Sequence, residues 1–139
     1  MTPEDESNDA TPNTLAQTMP LAATLGITTM RADKEFVVGR LAWAAELCTA
    51  GGTLHGGALM ALADSTGAMS AFLHLPEGAT GTTTIESKTN FLRGVRQGTV
   101  ESVSRPVHVG RTLIVVETEL RDDHDALVAL VRQTQLVLT

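Results

Sequence analysis

The chain has 139 residues, of which 42% are hydrophobic and 19% are charged, and its formal net charge at pH 7 is −6. A chain of this length is most simply one domain. Its net negative charge argues against non-specific binding to nucleic acid or to an anionic membrane. Cys48 is the only cysteine and cannot form an internal disulfide, and no basic and apolar leader opens the sequence. A cytoplasmic protein is therefore expected.

The first 18 residues differ in composition from the remainder. They carry four acidic side chains, two prolines and few apolar residues. Such a segment cannot bury enough apolar surface to offset the entropy of ordering it. The sequence therefore predicts a disordered acidic tail over residues 1–18, followed by a single domain over residues 19–139.

The domain is predicted to begin with short elements. A helical turn is expected over Pro20–Leu25, because Gly26 is a suitable C-cap, and a short strand over residues 27–30. The segment EFVVGRLAW at residues 35–43 is rich in β-formers and is the first clear strand. Alternate residues of that strand share one face: Val37, Gly39, Leu41 and Trp43. Residues 46–52 are expected to form a loop.

The only long apolar segment is TLHGGALMALADSTGAMSAFLHL, in which a helix is predicted from about residue 56 to residue 73. Its first two turns have no polar face, so most sides of this helix should be buried. Asp64 is the only residue ionised at neutral pH between the two flanking histidines. A lone carboxylate in such a helix suits a general base or a nucleophile. The alternative is a structural aspartate that is satisfied by Ser65, Thr66 or a partner chain.

Four extended segments follow, at residues 82–92, 98–109, 111–120 and 126–139. The connections between them are short, which predicts that consecutive strands pair antiparallel. One long helix packed against one antiparallel sheet is an α+β domain.

The helix begins with His55-Gly56-Gly57. The first N–H groups of a helix have no internal partner, the helix dipole favours negative charge there, and glycine lets a ligand approach the backbone. This is a candidate oxyanion hole made of backbone N–H groups. The alternative is that the glycines only allow tight packing of the helix start.

The spacing of these groups has a geometric consequence. Asp64 follows Gly56 by eight residues, which is about 12 Å along a helix. One carbonyl group cannot contact both residues of the same chain. If the two act together, the sequence predicts an obligate homodimer with two equivalent sites, each shared between two antiparallel copies of the helix.

Several motifs together resemble one family. LHGGALMALAD, TTTIESKTNFLRG, SRPVHVGRTL and VALVRQTQLVL are similar to segments of the hotdog-fold acyl-CoA thioesterases, in the PaaI-type group that acts on phenylacetyl-CoA and 4-hydroxybenzoyl-CoA. The resemblance covers about residues 20–139. It implies a sheet wrapped around one long helix, hydrolysis of an acyl-CoA or aryl-CoA substrate to acid and coenzyme A, no metal or added cofactor, and homodimers that pair into tetramers.

The resemblance also implies residue roles. Asp64 matches the catalytic nucleophile or base, the Gly56 N–H polarises the thioester carbonyl, and His55 shapes the loop or contacts the thioester. Residues expected to bind substrate or coenzyme A are Gly57, Asn90, Arg93, Gly110, Arg111 and Thr112. Because coenzyme A is a polyanion and the chain is acidic, a local cluster of Arg93, Arg96 and Arg111 is expected.

Two positions depart from the family pattern. Thr49 occupies the position where relatives often carry an asparagine or glutamine that places water or the carboxylate. Its hydroxyl can hold a water but lacks the two amide donors. Ala68 stands where one branch has threonine, and Ser65 is expected to serve instead.

Two other functions remain open on the sequence. A hotdog dehydratase or hydratase would use a histidine and a carboxylate together, but His55 precedes Asp64 by nine residues in a different setting. A non-catalytic module that binds acyl-CoA or an acyl carrier would gain nothing from a carboxylate near the thioester. The sequence lacks GxSxG, HExxH and P-loop motifs, and its histidines do not have metal-ligand spacing.

Overall fold

The computed structural model describes residues 14–139, so most of the predicted acidic tail lies outside the described residues. The helices and strands follow in chain order: α1 Thr14–Thr18, α2 Pro20–Leu25, β1 Thr28–Ala32, β2 Val37–Ala42, α3 Gly56–Phe72, β3 Gly81–Phe91, β4 Thr99–Val109, β5 Leu113–Arg121 and β6 Leu127–Leu138. A 3-10 turn over Ala45–Leu47 lies within the loop between β2 and α3. None of the helices in this part of the chain is long and apolar enough to cross a membrane.

The last residues of the predicted tail are ordered. The prediction of disorder over residues 1–18 is wrong for Thr14–Thr18, which form α1. The reason is a single anchor, Leu15, which is fully buried in the core and whose backbone N–H donates to Thr29 Oγ1 at 2.9 Å. The segment is polar as a whole, but it contains one apolar residue, Leu15, that is buried in the core.

The six strands form one antiparallel sheet in the order β1-β2-β4-β5-β6-β3. The sheet wraps α3, the only long helix in residues 14–139, which is the α+β arrangement expected. The predicted helix and strands are confirmed to within a few residues. On β2, Val37 and Leu41 are fully buried and face α3, as the alternation predicted.

One predicted pairing is wrong, because β3 does not lie beside β4. It pairs with β6 at the edge of the sheet, while β4 lies between β2 and β5. The connection over residues 92–98 spans three strand spacings, about 14 Å, and seven extended residues can reach about 23 Å. Val95 holds this connection in the core, where its carbonyl accepts the Leu54 N–H at 2.8 Å. The loop length permitted either pairing, and core packing decided between them.

A cluster of buried hydroxyl groups joins the middle of α3 to the sheet. Thr66 Oγ1 lies 2.6 Å from Ser102 Oγ and 2.8 Å from Ser104 Oγ, and Ser104 Oγ lies 2.6 Å from Thr118 Oγ1. These four residues are fully buried, and each hydroxyl has a partner, as buried polar groups require. The cluster also accounts for Gly39, since a Cβ at that position would lie 2.8 Å from Thr66 Cγ2.

The packing of α3 gives a stability prediction. Leu62 is fully buried on the sheet side of α3, so Leu62→Ala should lower the free energy of unfolding by about 3 kcal/mol through lost burial and the cavity left behind. Urea unfolding at a fixed protein concentration measures this change. Leu21→Ala is the matched control, because Leu21 is 59% exposed on α2, and its cost should stay below about 1 kcal/mol. Equal costs in the two variants would contradict the described packing of α3.

Candidate active site

One face of α3 is open. Residues at three- and four-residue spacing along that face are exposed or half-buried, while the other sides of the helix pack against the sheet and the short helices. The open face consists of Gly57, Met60, Ala61, Asp64, Ala68 and Phe72. Asp64, near its middle, is the only charged residue of α3. In a single chain this carboxylate is therefore exposed, and its own chain does not desolvate it.

Two donors hold one oxygen of the Asp64 carboxylate. Gln133 Nε2 donates to Asp64 Oδ1 at 3.1 Å, and Thr84 Oγ1 donates to the same oxygen at 3.3 Å. Asp64 Oδ2 has no hydrogen-bond partner among residues 14–139. Within residues 14–139, the carboxylate therefore has one oxygen that accepts two hydrogen bonds and one that accepts none.

The neighbouring hydroxyl groups do not satisfy Asp64. Ser65 is buried, and its Oγ donates to the Ala61 carbonyl at 2.7 Å. Thr66 points into the sheet, where it joins the hydroxyl cluster. The alternative interpretation that Ser65 or Thr66 satisfies the carboxylate is therefore wrong, and the structure does not bring Ser65 to Asp64.

Sequence reasoning missed the residues that do contact the carboxylate. Along β6, Ala129 and Val131 are buried and face α3, and the same alternation continues to Gln133 and Gln135. Two glutamines at buried positions of a strand require partners. That requirement was the signal available in VALVRQTQLVL, although it does not identify Asp64 as the partner.

The start of α3 leaves one N–H group free. His55 is the N-cap, and its Nδ1 accepts the Gly57 N–H at 2.8 Å, so the neutral ring carries its proton on Nε2. The His55 carbonyl accepts the N–H groups of Ala58 and Leu59 at 2.9 and 3.3 Å. Within residues 14–139 no acceptor takes the Gly56 N–H. Of the two glycines, Gly56 is therefore the one with an N–H available to a ligand.

Glycine at position 56 also has a packing reason. A Cβ there would lie 3.1 Å from Cζ of Phe91, the last residue of β3, so a side chain would force that ring to move. Phe91 is itself 51% exposed. The packing interpretation therefore applies to Gly56, and approach of a ligand to its N–H stays a prediction.

The Gly56 N–H and the Asp64 carboxylate, the two candidate catalytic groups, are far apart within one chain. α3 is continuous from Gly56 to beyond Asp64, so their separation is about 12 Å along the axis. The expected geometry is confirmed, and a carbonyl carbon at hydrogen-bond distance from the Gly56 N–H cannot also contact Asp64 of the same chain.

The loop before α3 is anchored at the Gly56 end of the helix. A bridge pairs Cys48 with Leu54, and the Thr49 N–H donates to the Thr53 carbonyl at 2.9 Å. Two side chains, Trp43 and Arg96, donate to carbonyls at the loop tip at 3.0 and 2.7 Å. Thr49 is exposed on this loop, and its hydroxyl makes no hydrogen bond in the described part of the chain.

The predicted cationic cluster does not form within one chain. Arg93 and Arg96 line one cavity of about 440 Å³ together with three residues of the β5–β6 turn, Asp122, Asp123 and His124. Arg111 lies beyond the opposite end of β4, whose eleven residues span about 35 Å. The expectation of one cluster of Arg93, Arg96 and Arg111 is therefore wrong for a single chain, because Arg96 and Arg111 flank the full length of a strand.

The remaining predicted substrate residues are dispersed. Asn90 lies on the sheet face opposite α3, where it lines a cavity of about 240 Å³ with Lys88 and Arg132. Gly110 begins the turn between β4 and β5, its N–H donating to the Leu113 carbonyl at 2.9 Å. Thr112 is exposed in the same turn. None of these groups lies beside Asp64 of the same chain.

Two apolar grooves flank the open face of α3. One, of about 350 Å³, begins one helical turn beyond Asp64 and is lined by Thr18, Met19, Ala68, Met69, Phe72, Gly81 and Thr82. The other, of about 280 Å³, lies at the helix start and is lined by Leu21, Leu25, Glu46, Leu47, Cys48, His55, Gly57, Ala58 and Ala61. A carboxylate oxygen, a free backbone N–H and apolar grooves are the components that hydrolysis of an apolar acyl ester or thioester requires.

Comparison with known proteins supports the same chemistry. Residues 51–129, more than half of the chain, match the family described as the Thioesterase superfamily. ComA2 of Bacillus subtilis (strain 168) is 38% identical over 90 residues, which are 63% of this chain and 69% of that protein. The 1,4-dihydroxy-2-naphthoyl-CoA hydrolase of Escherichia coli (strain K12) is 34% identical over 87 residues, 63% of each protein. The chain thus spans less than two thirds of the length of that hydrolase.

Solved structures agree with the fold. A mutant of thioesterase PA1618 from Pseudomonas aeruginosa superposes with a TM-score of 0.85 at 29% identity, over 93% of this chain and 94% of that one. The Escherichia coli PaaI protein shares the fold with a TM-score of 0.81 at 22% identity, over 90% and 88% of the two chains. The predicted hotdog arrangement is confirmed, and so, at the level of the family, is the predicted enzyme class of thioester hydrolase. A sheet of this order around a helix that begins with HGG and carries one carboxylate, together with the match over residues 51–129, shows that the chain belongs to the Thioesterase superfamily.

Proposed function

We propose that the protein hydrolyses an acyl-CoA or aryl-CoA thioester to a free carboxylic acid and coenzyme A. Asp64 acts as the nucleophile or as the base that activates water, and the Gly56 N–H of a second chain polarises the thioester carbonyl. In either route the C–S bond breaks, one water molecule is consumed, and coenzyme A leaves as its thiol. The family match and the similarity to a naphthoyl-CoA hydrolase support a coenzyme A thioester as the substrate class.

The observation that carries this proposal is the state of the Asp64 carboxylate. It is the only charge on a face of α3 that is otherwise apolar, one of its oxygens is held by two donors, and the other has no partner within residues 14–139. A carboxylate held in this way is suited to react with a carbonyl or a water on that face. The apolar grooves on either side of the face suit an acyl chain or ring.

A second copy of the chain completes the site in this proposal. Within residues 14–139, β3 lies at the edge of the sheet and no strand pairs with its outer side, and such an edge is a template for another strand. Large apolar side chains on and beside this edge are exposed: Met60, Phe72, Ile85, Phe91 and Leu92. The Thr84–Asp64 hydrogen bond joins the edge to the open face of α3, so one partner can cover both. In this proposal the dimers pair further into dimers of dimers, as the resemblance implies.

The first test concerns the carboxylate. Asp64→Asn keeps the size of the side chain but removes the basic and nucleophilic oxygen, so thiol release from acyl-CoA should fall by at least about 100-fold. The assay measures free coenzyme A over a panel of aryl and aliphatic acyl-CoA substrates, and Asp64→Ala should fall at least as far.

Val107→Ala is the control for this test, because Val107 is exposed on β4 and is not one of the proposed site residues. Its activity should match that of the unmodified protein. Thiol release by Asp64→Asn at the unmodified rate would overturn the proposal. Tight binding of intact acyl-CoA with no release by the unmodified protein would favour a non-catalytic binding protein instead.

The second test concerns the shared site. Gly56→Val should inactivate the protein, because a Cβ at this position meets Phe91 and obstructs approach to the N–H. Random mixing of Gly56→Val chains with Asp64→Ala chains makes about half of the dimers heterodimers. Each heterodimer has one intact site, so activity should recover to about a quarter of the unmodified level.

Heterodimer formation is measured independently, with differently tagged chains. Mixing two samples of the same variant is the control and should restore nothing. Confirmed heterodimers without recovered thiol release would show that each site is formed within one chain, which contradicts the proposed geometry.

A further inference from the structure

The inner face of β6 carries two buried glutamines beneath α3. Gln133 is fully buried and Gln135 is 1% exposed, and both face the helix because they alternate with outward-facing residues. Burying an amide costs free energy unless its groups are hydrogen-bonded, so an aliphatic residue would suit these positions better if packing were their only role. The contacts of the two amides indicate what they do instead.

The Gln133 amide is held in one orientation. Its Nε2 donates to Asp64 Oδ1 at 3.1 Å, whereas its Oε1 is shielded from solvent and has no hydrogen-bond partner in the described part of the chain. Exchanging the two ends of the amide would place Oε1 against Asp64 Oδ1, so that two acceptors would face each other. The hydrogen bond from Nε2 to Asp64 therefore fixes which end of the amide faces the carboxylate, and it leaves Oε1 without a partner.

Gly67 provides the space for this arrangement. It lies on α3 one turn after Asp64, and a Cβ there would lie 2.3 Å from Gln133 Oε1. Any side chain at position 67 would therefore push the amide away from its present position. Glycine in the middle of a helix costs about 1 kcal/mol relative to alanine. Here the close approach of the amide explains it.

The second donor is oriented by the second glutamine. Gln135 Nε2 donates to Thr84 Oγ1 at 2.6 Å, so the Thr84 hydroxyl accepts there and uses its own proton for Asp64 Oδ1 at 3.3 Å. Thr84 lies opposite Gln135 in the β3–β6 register, immediately before a bulge at Ile85. A bulge changes the direction of the side chains beside it. This bulge lies next to Thr84, the residue of β3 that donates to Asp64.

We propose that Gln133 and Thr84 are positioning residues that hold Oδ1 of Asp64, so that Oδ2 alone faces the thioester or the attacking water. This inference rests on the proposed function of Asp64. Without the two donors the exposed carboxylate rotates freely about its terminal bond and spends less time in the reactive orientation. Substrate binding does not depend on that orientation, so the effect falls on the rate of the chemical step.

The test compares variants that remove each donor and keep its shape. Gln133→Met and Thr84→Val should each lower kcat roughly 10- to 100-fold, with KM for acyl-CoA changed by less than about 2-fold. A purely structural role would lower the melting temperature and leave kcat unchanged.

Two matched controls separate these effects. Thr83→Val makes the same substitution on β3 at the neighbouring residue, which pairs with outward-facing Leu136, and should leave kcat unchanged. Thr118→Val removes a buried hydroxyl from the sheet without contacting Asp64, so it should lower the melting temperature but not kcat.

Gly67→Ala tests the same contact from the other side. The added Cβ displaces the Gln133 amide, so kcat should fall although no polar group is removed. In a Gln133→Ala background the same substitution should cost little more, because there is no amide left to displace. Additive losses in this double-mutant cycle would overturn the inferred role of Gln133.

Asp64→Asn distinguishes failure of this inference from failure of the proposed function. If Asp64→Asn is inactive while Gln133→Met and Thr84→Val retain full kcat, the positioning role is wrong and the proposed function stands. If Asp64→Asn is fully active, both are wrong. If Gln133→Met does not fold, Thr84→Val decides, because Thr84 is exposed and its substitution is tolerated: a lowered kcat supports the inference and an unchanged kcat overturns it.

Discussion

The unbroken length of α3 is the constraint on which the active site depends. The helix begins at Gly56, whose N–H has no acceptor within residues 14–139, and carries its carboxylate two turns later. The separation of the two groups is therefore set by helical rise and not by side-chain choice. No rotamer of Asp64 closes a gap of about 12 Å. The proposed sharing of each site between two chains follows from this rigidity. It would also make catalysis dependent on association, because a single chain holds the two halves of different sites.

The sheet supports the helix with two kinds of contact. At its ends α3 rests on aliphatic side chains, whereas its middle rests on hydroxyl and amide groups of β4, β5 and β6. The hydroxyl cluster around Thr66 fixes the helix against the sheet, and Gln133 of the adjacent strand β6 donates to Asp64 on the open face. Buried polar contacts are directional, so they define one position of the helix more narrowly than apolar packing does. The Asp64 carboxylate is therefore held beside a part of the sheet with directional contacts.

Charge is distributed along the sheet in a way that bears on substrate binding. The chain is acidic overall, so binding a polyphosphate requires local cations. Arg93 and Arg96 lie at one end of the sheet and Arg111 at the other, with a full strand between them. In the proposed antiparallel dimer, one end of a chain lies beside the other end of its partner. Residues that are dispersed in one chain can then meet around one substrate, as Gly56 and Asp64 are proposed to do.

Much of the fold and of the candidate site followed from local patterns in the sequence. The long apolar segment, its HGG start and its lone Asp64 depend on helical periodicity and on the chemistry of a helix N-terminus, and both act between residues close in the chain. The positions of the strands followed from β-forming residues and from the alternation of apolar and polar residues along the chain. The pairing of β3 with β6 did not follow from the sequence pattern. A seven-residue connection is long enough for β4 to lie beside β3 or beyond β6, and the burial of Val95 favours the observed arrangement. That residues 14–18 form a helix likewise depended on the burial of Leu15 in the core.

The contacts of Asp64 were decided by tertiary structure alone. Gln133 is 69 residues away in sequence, and it reaches the carboxylate only because β6 lies beneath α3 and Gly67 leaves space for its amide. Thr84 reaches it because a bulge and Gln135 aim its hydroxyl. The sequence by itself determined which groups can react, since that is a property of residue type and helix position. Which groups hold them was settled by the packing of distant segments, because a hydrogen bond depends on distances of a few tenths of an ångström that no local pattern specifies.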